Sequence, residues 1–301
     1  MSTPTRSEGE QLAEILDELQ REEAVRDIAG WDSGFPNLTR ALDGIRPGLY
    51  LLIGSPGIGK TSFAKQLLDQ IAMRGEAAGI FFTFAESKRE LRIKTLARLS
   101  HMDSREIRRG SAYLLHWYGT PRLRGPDVGE ISPSWEKLRL AAEQARDWLD
   151  STYLIQCGAD DGVDSIAARI EDVKAVRKND NVFVIIDDCQ RLGPMSAPLE
   201  RRLSIAVEQL QALALNSRIP LLAVWPDLSA RTEAAPEVWA EKVASADVIM
   251  VMRNDTARTQ QLSEPNQAIT LHIVKNRAGE RGKSAFEFNP AFANFTEVKT
   301  N

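Results

Sequence analysis

The sequence predicts an α/β fold: a doubly wound, mostly parallel sheet with helices on both faces and a C-terminal β-hairpin. Short apolar runs alternate with amphipathic helical patterns along most of the chain, as in parallel sheets. Residues 182–186 form a near-continuous run of β-branched and aromatic side chains, typical of a central parallel strand. A glycine-rich loop near residue 54 lies between an apolar run and a helical pattern, which indicates strand, loop and helix in that order.

The remaining elements follow along the chain. Residues 1–8 are polar, and apolar residues at helical spacing predict an amphipathic helix over 10–29. Its apolar stripe could pack on its own domain or on a neighbouring subunit. The predicted strands are 49–53, 78–84, 152–156, 182–186, 220–225 and 248–252, followed by hairpin strands 269–274 and 285–289. The predicted helices are 62–68, 88–99, 135–149, 164–177 and 199–216, with short helices within 34–42 and 103–126.

Composition limits the classes of function. The chain has 301 residues, enough for one large domain or two small ones, and its net charge of −4 excludes an overall basic nucleic-acid footprint. A local basic groove between subunits stays open. Cys157 and Cys189 lack metal-ligand spacing and make no disulfide framework, so we expect a reducing, cytoplasmic setting. We find no signal peptide and no apolar run near the ~20 residues of a membrane span, and expect no membrane partner.

Residues 54–61 fit G-x-x-x-x-G-K-[ST], the phosphate-binding loop of P-loop NTPases. The glycines let backbone N–H groups turn toward an anion, and the following helix N-terminus adds its positive dipole end. Lys60 would reach the β- and γ-phosphates, and the Thr61 hydroxyl would hold Mg²⁺. The predicted nucleotide-binding residues are Gly54, Ser55, Pro56, Gly57, Ile58, Gly59, Lys60, Thr61 and Ser62.

Three further segments carry groups that NTP hydrolysis needs. Asp187 ends the strand of residues 182–186 and is the candidate carboxylate for Mg²⁺, while Asp188 points the other way. Glu86 follows the second strand and could orient the attacking water, although a surface glutamate at a helix start is an equal alternative. Lys275 and Arg277 follow a late strand and could reach a neighbouring subunit's nucleotide as an arginine finger; a solvated hairpin turn is the alternative.

Several blocks, in the same order, resemble the C-terminal ATPase domain of DnaB-type replicative helicases, a branch of the RecA-like P-loop proteins. The similarity covers about residues 34–298. The blocks are Gly34-Phe35 through Leu42-Asp43-Gly44, Ser87-Lys88-Arg89-Glu90-Leu91, Ile185-Ile186-Asp187-Asp188-Cys189-Gln190, Ala246-Asp247-Val248-Ile249-Met250, and Lys275-Asn276-Arg277 with Phe288-Asn289-Pro290 and Phe295.

The resemblance implies a RecA-like fold, Mg-ATP as cofactor, and a homo-oligomeric ring or filament with nucleotide at subunit interfaces. It implies that residues 1–30 are an N-terminal tail and helix, and that 31–301 are one RecA-like ATPase domain. It makes Asp187 the metal-site acid, Gln190 a coupling residue, and Arg277 with Lys275 the finger. Only the helix of residues 10–29 stands where the family has a separate N-terminal helical domain, so primase docking of the usual kind is not expected.

The chain departs from the family at three positions. Ala85 occupies the place of the catalytic glutamate, with Glu86 one residue later, so either Glu86 substitutes or hydrolysis is impaired. Asp227 replaces the glutamine that senses the γ-phosphate, and an acid there repels phosphate unless a metal or lysine intervenes. Residues 237–240 carry an acid where the family's DNA-contact loop has arginine, which weakens that mode of single-strand binding. Trp239 could stack on a base, although a buried tryptophan is favoured.

Three functions remain after these observations. The first is an oligomeric DnaB-like ATPase that acts on single-stranded DNA as a helicase-like motor. The second is a KaiC-like, nucleotide-switched assembly protein without unwinding activity, which Ala85 and Asp227 favour because both predict slow turnover. A monomeric small-molecule kinase ranks last. The candidate DNA-facing cations are Arg191, Arg201, Arg202 and Arg231, each of which could equally be solvated surface charge.

Overall fold

The computed structural model describes residues 28–109, 133–193, 196–227 and 235–298. Its strands form a nine-stranded sheet. They are β1 Gly48–Gly54, β2 Ala78–Thr83, β3 Thr152–Gln156, β4 Val182–Asp187, β5 Pro220–Pro226, β6 Val248–Asn254, β7 Gln267–Asn276, β8 Gly282–Asn289 and β9 Asn294–Glu297. The order across the sheet is β3-β2-β4-β5-β1-β6-β7-β8-β9. The first six strands in this order, from β3 across to β6, are parallel to one another. Strands β7, β8 and β9 extend the sheet in antiparallel orientation.

Helices cover both faces of the sheet, as predicted. They are α1 Pro36–Leu42, α2 Lys60–Met73, α3 Lys88–Ser100, α4 Ser104–Arg109, α5 Pro133–Gln144, α6 Arg146–Leu149, α7 Val163–Arg177, α8 Leu199–Ser217, α9 Val238–Lys242 and α10 Thr256–Thr259, with a 3₁₀ turn at Cys189–Arg191. The single helix predicted over 135–149 is wrong in one respect, because the chain divides there into α5 and α6 at Ala145. Among the described helices, none is long and apolar enough to cross a membrane.

Alternating side chains of β1 pack into two separate cores. Leu49, Leu51 and Ile53 pack on the face covered by α7 and α8. Tyr50 and Leu52 pack on the opposite face, against α1 and α2. All seven residues of β1 are buried, which explains why this strand reads as a continuous apolar run rather than an alternating one.

The C-terminal hairpin is confirmed as β7 and β8, and it gains a third strand, β9, that the sequence analysis did not predict. Phe286, Phe288 and Phe295 of this region contact Phe63 of α2 or each other through stacked and edge-on rings. The side-chain amide of Gln66 also donates to the Phe295 carbonyl and accepts from its N–H, at 2.9 and 2.7 Å. The hairpin is therefore fixed directly to the helix that follows the glycine-rich loop.

Two predictions fall on residues that the structure does not describe. The helix over 10–29 lies almost wholly outside the described residues, as does most of the irregular part of 103–126. Trp31, the first residue of the predicted ATPase domain, exchanges backbone hydrogen bonds with Ile45. The division of the chain at residue 30 stays a prediction.

Candidate nucleotide site

The glycine-rich loop lies between the carboxyl end of β1 and the start of α2. Gly57 and Gly59 have φ values of 82° and 98°, in the left-handed region that glycine adopts without strain. A Cβ on Gly59 would also lie 2.9 Å from a ring carbon of Phe288, closer than real Cβ contacts allow. Glycine at this position is therefore needed both for backbone conformation and for the approach of the C-terminal hairpin.

Lys60 is curled over the loop that precedes it. Its Nζ donates to the backbone carbonyls of Gly54 and Ser55, each at 2.8 Å. Burial lowers the pKa of Lys60, while the nearby carboxylates of Asp187 and Asp227 raise it. A cation held only by two neutral carbonyls is free to transfer to phosphate oxygens, which are stronger acceptors because they are charged.

Thr61 and Asp187 meet where a metal ligand pair is expected. The Thr61 hydroxyl donates to a carboxylate oxygen of Asp187 at 2.9 Å. Burial raises the pKa of Asp187 to about 6, against the Thr61 hydrogen bond, which lowers it. The described residues hold no cluster of three His, Cys, Asp or Glu side chains. One hydroxyl and one carboxylate therefore fit Mg²⁺, which binds proteins through one or two such oxygens together with water and substrate phosphates.

A cavity of about 310 Å³ opens over the loop. Its floor is formed by the loop and the first turn of α2, including Gly57, Lys60, Thr61 and Ser62. The opposite walls come from α3, α4 and the C-terminal hairpin. The residues on these walls are Glu86, Lys94, Ser104, Arg108, Phe288, Pro290 and Ala293. The volume and the polar floor fit the phosphate end of a nucleotide.

The turn after β2 places Glu86, not Ala85, in this cavity. Ala85 is exposed to solvent, whereas Glu86 lines the cavity and is half-buried. The Glu86 carboxylate accepts hydrogen bonds from Lys94 Nζ at 2.5 and 2.7 Å. The proximity of Glu86 also contributes to the raised pKa of Asp187. Sequence analysis identified Glu86 but missed Lys94, because one lysine on a charged helix carries no signal of its own.

Asp227 lies fully buried beside the loop, at the carboxyl end of β5. Its N–H donates to the Gly54 carbonyl at 2.8 Å, and its carboxylate accepts from Arg253 at 2.6 Å. Arg253 therefore offsets the charge of this acid within the chain, and Asp227 also raises the pKa of the nearby Lys60, the kind of lysine contact that the sequence analysis considered. Arg253 was missed because it lies near the end of β6, a strand distant from Asp227 in sequence.

Lys275 and Arg277 do not join this cavity. Arg277 forms an ion pair with Asp247 at 2.7 Å, and Lys275 donates to the Ala244 carbonyl. Asp247 in turn accepts from the N–H of Leu49, at the amino end of β1. The loop begins at the carboxyl end of the same strand. The two predicted parts of the site therefore lie at opposite ends of the strands.

The remaining candidates lie outside the cavity or its walls. Gln190 is half-buried in the 3₁₀ turn directly after β4. Arg191 pairs with Asp188 at 3.2 Å. Trp239 is buried, with the Lys242 ammonium 5.4 Å from its ring centre, as the buried alternative predicts. The other three cations differ in accessibility: Arg201 is exposed, Arg202 is half-buried, and Arg231 lies outside the described residues.

The chain is similar in sequence to known proteins. Residues 30–120 match the family model of the DnaB-like helicase C terminal domain. The chain is 24% identical over 303 residues to replicative DNA helicase DnaB of Pasteurella multocida, covering 96% of this chain and 60% of that protein. DnaB of Haemophilus influenzae gives the same identity and coverage. The chain thus spans about 60% of the length of these curated relatives.

Solved structures agree with the fold. One of them, a solved ATPase domain, has a TM-score of 0.73 at 20% identity, covering 98% of this chain and 100% of that one. A DnaB-like replicative helicase, described with its interactions with primase, has a TM-score of 0.73 at 19% identity, covering 97% of this chain and 69% of that one. The fold is therefore RecA-like, and the resemblance of this chain to the C-terminal ATPase domain of DnaB-type replicative helicases is confirmed.

Proposed function

We propose that this chain is the ATPase unit of an oligomeric DnaB-like motor that binds Mg-ATP at subunit interfaces and acts on single-stranded DNA. The observation that carries the proposal is the Thr61–Asp187 contact at 2.9 Å, beneath a cavity lined by Lys60. It joins the two halves of an NTPase site that lie far apart in sequence. The similarity to replicative DNA helicases supports DNA as the substrate on which the motor acts.

Each residue of the site has a defined role in this proposal. The loop N–H groups and the α2 N-terminus bind phosphate oxygens, and Lys60 leaves the two carbonyls to contact the β- and γ-phosphates. Thr61 and Asp187 hold Mg²⁺, which when bound neutralises charge on the phosphates. Asp187 must be ionised to do so, and a pKa of about 6 leaves it mostly ionised at pH 7.

The position of Arg277 supports nucleotide binding at a subunit interface. Its neighbour Asn276 pairs with Val248, and Val248 pairs with Tyr50, four residues before Gly54. At about 3.3 Å per residue, Arg277 lies roughly 13 Å or more along the sheet from its own loop. An arginine finger at the amino end of the strands can serve only the nucleotide of a neighbouring subunit. This is the role that we propose for Arg277 with Lys275.

The second candidate function is a KaiC-like, nucleotide-switched assembly protein with slow turnover. Ala85 favours this alternative because an alanine at the family's catalytic position cannot activate water, and its side chain is exposed to solvent. In that case ATP would bind at the interface and change the oligomer, with little response to DNA.

One experiment separates the two functions. ATP hydrolysis is measured with and without single-stranded DNA at two salt concentrations, while light scattering follows oligomer size. Stimulation by DNA that falls steeply with salt supports the motor. ATP-dependent assembly without stimulation supports the switch.

The phosphate-binding role of Lys60 is tested alongside. We expect Lys60→Ala to lose ATP binding and turnover, whereas Lys88→Ala, at an exposed position outside the cavity, should keep both. Normal ATP affinity in Lys60→Ala would contradict the nucleotide site itself, and with it both functions.

A further inference from the structure

We infer that Lys94 is a positioning residue for ATP hydrolysis, and that it holds Glu86 in the cavity as the replacement for the acid absent at Ala85. The inference rests on the proposed function, since it concerns the same nucleotide site. It answers a question that the sequence left open, namely whether the one-residue shift from Ala85 to Glu86 can be productive.

Backbone hydrogen bonds determine which residue of the turn after β2 faces the cavity. The hydroxyl of Thr83, a fully buried residue at the end of β2, donates to the Glu86 carbonyl at 2.8 Å and accepts from the Glu86 N–H at 3.0 Å. This closed pair of bonds shapes the turn so that Ala85 faces solvent and Glu86 faces the cavity. A glutamate merely starting a surface helix would not need both bonds.

The side chain is fixed from the other direction. Lys94 bonds both carboxylate oxygens of Glu86, and its own side chain is only 16% exposed. Few other orientations remain for a carboxylate that is held at both oxygens. Glu86 follows Thr83 by three residues, and Thr83 pairs with Asp187 across β2 and β4, so the two acids lie at neighbouring strand ends.

Helix α3, which carries Lys94, is itself anchored to the loop helix α2. Thr95 donates to Asp69 at 2.8 Å and accepts from Lys65 at the same distance. Arg98 forms an ion pair with Asp69, and the four side chains are at most 10% exposed. A buried network of this kind has one low-energy arrangement, so it sets the distance between Lys94 and the loop.

Glu86 keeps the capacity to act on water while Lys94 holds it. A carboxylate has about four lone-pair sites, and Lys94 takes two of them. In the hydrolysis step, the water oxygen forms a bond to the γ-phosphorus as the bond from that phosphorus to the bridging oxygen breaks. The bridging oxygen keeps the electron pair on ADP, and Glu86 accepts the proton that the water loses.

The test is a double-mutant cycle on Glu86 and Lys94. Single variants Glu86→Gln and Lys94→Met, and the double variant, are assayed for kcat and KM with Mg-ATP. Binding of a fluorescent ATP analogue without Mg²⁺ and thermal unfolding are measured in parallel. Lys94→Arg is the conservative variant, and Lys88→Met is the matched control on the same helix.

We expect Lys94→Met to lower kcat by about 10- to 100-fold, and Glu86→Gln by roughly 100-fold, the usual scale for losing a positioned base. Analogue binding should change by less than about threefold. The double variant should be no slower than Glu86→Gln alone, because Lys94 acts only through Glu86. Lys94→Arg should recover most of kcat, and Lys88→Met should match the wild type.

Three results would overturn the inference. They are an unchanged kcat in Lys94→Met, fully additive losses in the double variant, or loss of analogue binding as severe as in Lys60→Ala, which would make Lys94 a phosphate ligand instead. A wild-type chain that binds the analogue but shows no turnover would also overturn it, while leaving the switch function standing. Absence of analogue binding in the wild type would contradict the nucleotide site and is thus distinguishable.

Discussion

The two ends of strand β1 are built in different ways. At the carboxyl end, Asp187 and Asp227 are buried, and the pKa values of Lys60 and Asp187 are shifted mainly by burial. At the amino end, Asp247 and Arg277 form an ion pair with Arg277 57% exposed. The charged groups at the carboxyl end contact other groups of the same chain. At the amino end, the exposed Arg277 cation is accessible to a neighbouring molecule.

This difference teaches which charges can move. Arg277 is 57% exposed and its charge stays solvated after it leaves Asp247, which keeps the hydrogen bond from the Leu49 N–H, so Arg277 can exchange Asp247 for a phosphate at little cost. The Asp227–Arg253 pair beside the loop cannot separate in this way, because Asp227 is fully buried and an unpaired ion in the interior costs several kcal/mol. The amino end therefore suits a residue that changes partners, and the carboxyl end suits one that must be in place before nucleotide arrives.

The largest expected effect comes from removing Arg277, the residue that we propose connects the amino end of β1 in one subunit to the nucleotide at the carboxyl end of β1 in its neighbour. Arg277→Ala should lower kcat for ATP hydrolysis by roughly 10³-fold or more, the range known for arginine fingers, while nucleotide affinity stays close to that of the wild type. Arg281→Ala is the matched control, an exposed arginine in the turn of the same hairpin, and should be unaffected.

Mixing variants tests whether Arg277 acts on a neighbour. A Lys60→Ala chain lacks its own nucleotide but still presents Arg277, so mixed oligomers with Arg277→Ala chains should regain part of the activity. If mixed oligomers form and no activity returns, Arg277 does not act between subunits and the comparison of the two ends loses its functional meaning.

The next prediction compares the loss of unfolding free energy when one carboxylate is removed at each end. Asp69→Ala removes the carboxylate shared by Lys65 and Arg98 behind the loop, and should lower the free energy of unfolding by about 3–5 kcal/mol, since two buried cations lose their partner. Asp247→Ala is the matched change at the other end and should cost about 1–2 kcal/mol, from one backbone hydrogen bond and an ion pair whose arginine stays exposed to solvent. Urea unfolding of both variants measures the difference, and equal losses would contradict it.

The sequence predicted the parts that depend on local pattern. The P-loop spacing, the apolar run of β4 ending in Asp187, and the alternation of strands and helices each reflect neighbours in sequence, and the structure agrees with them. Lys94, Arg253 and Asp247 could not be assigned in this way. Each acts through a partner on another element, and nothing in a charged residue's own surroundings tells which distant group it meets.

Strand β9 shows a second kind of limit. Its four residues, Asn294–Glu297, are too few to establish a period of two, and Phe295 is the one apolar side chain among them. What makes it a strand is pairing with β8, together with the Gln66 amide that satisfies the backbone of Phe295 from α2. Short edge elements of this kind follow from tertiary contacts rather than from intrinsic preference.

The smallest expected effect concerns the pH dependence of stability at the carboxyl end. Burial raises the pKa of Asp187 from its ordinary 3.8 to about 6, so the folded chain binds this proton more tightly than the unfolded chain. The stability that Asp187 contributes is complete below about pH 4 and is lost as the pH rises through 6. Between pH 4 and pH 7, the free energy of unfolding of Asp187→Asn should therefore rise relative to that of the wild type by on the order of 2–3 kcal/mol. Urea unfolding without nucleotide measures this change.

Asp161 provides the control of opposite sign. The Gly158 N–H lowers the pKa of Asp161, so the stability that this carboxylate contributes is present at neutral pH and is lost on acidification. Relative to the wild type, Asp161→Asn should lose unfolding free energy as the pH rises toward about 4, whereas Asp187→Asn should gain it between pH 4 and pH 7. A parallel response of the two variants would contradict the raised pKa of Asp187. Opposite responses would mean that the chain carries an ionised Asp187 at a cost to its own stability, a cost that a bound cation would offset.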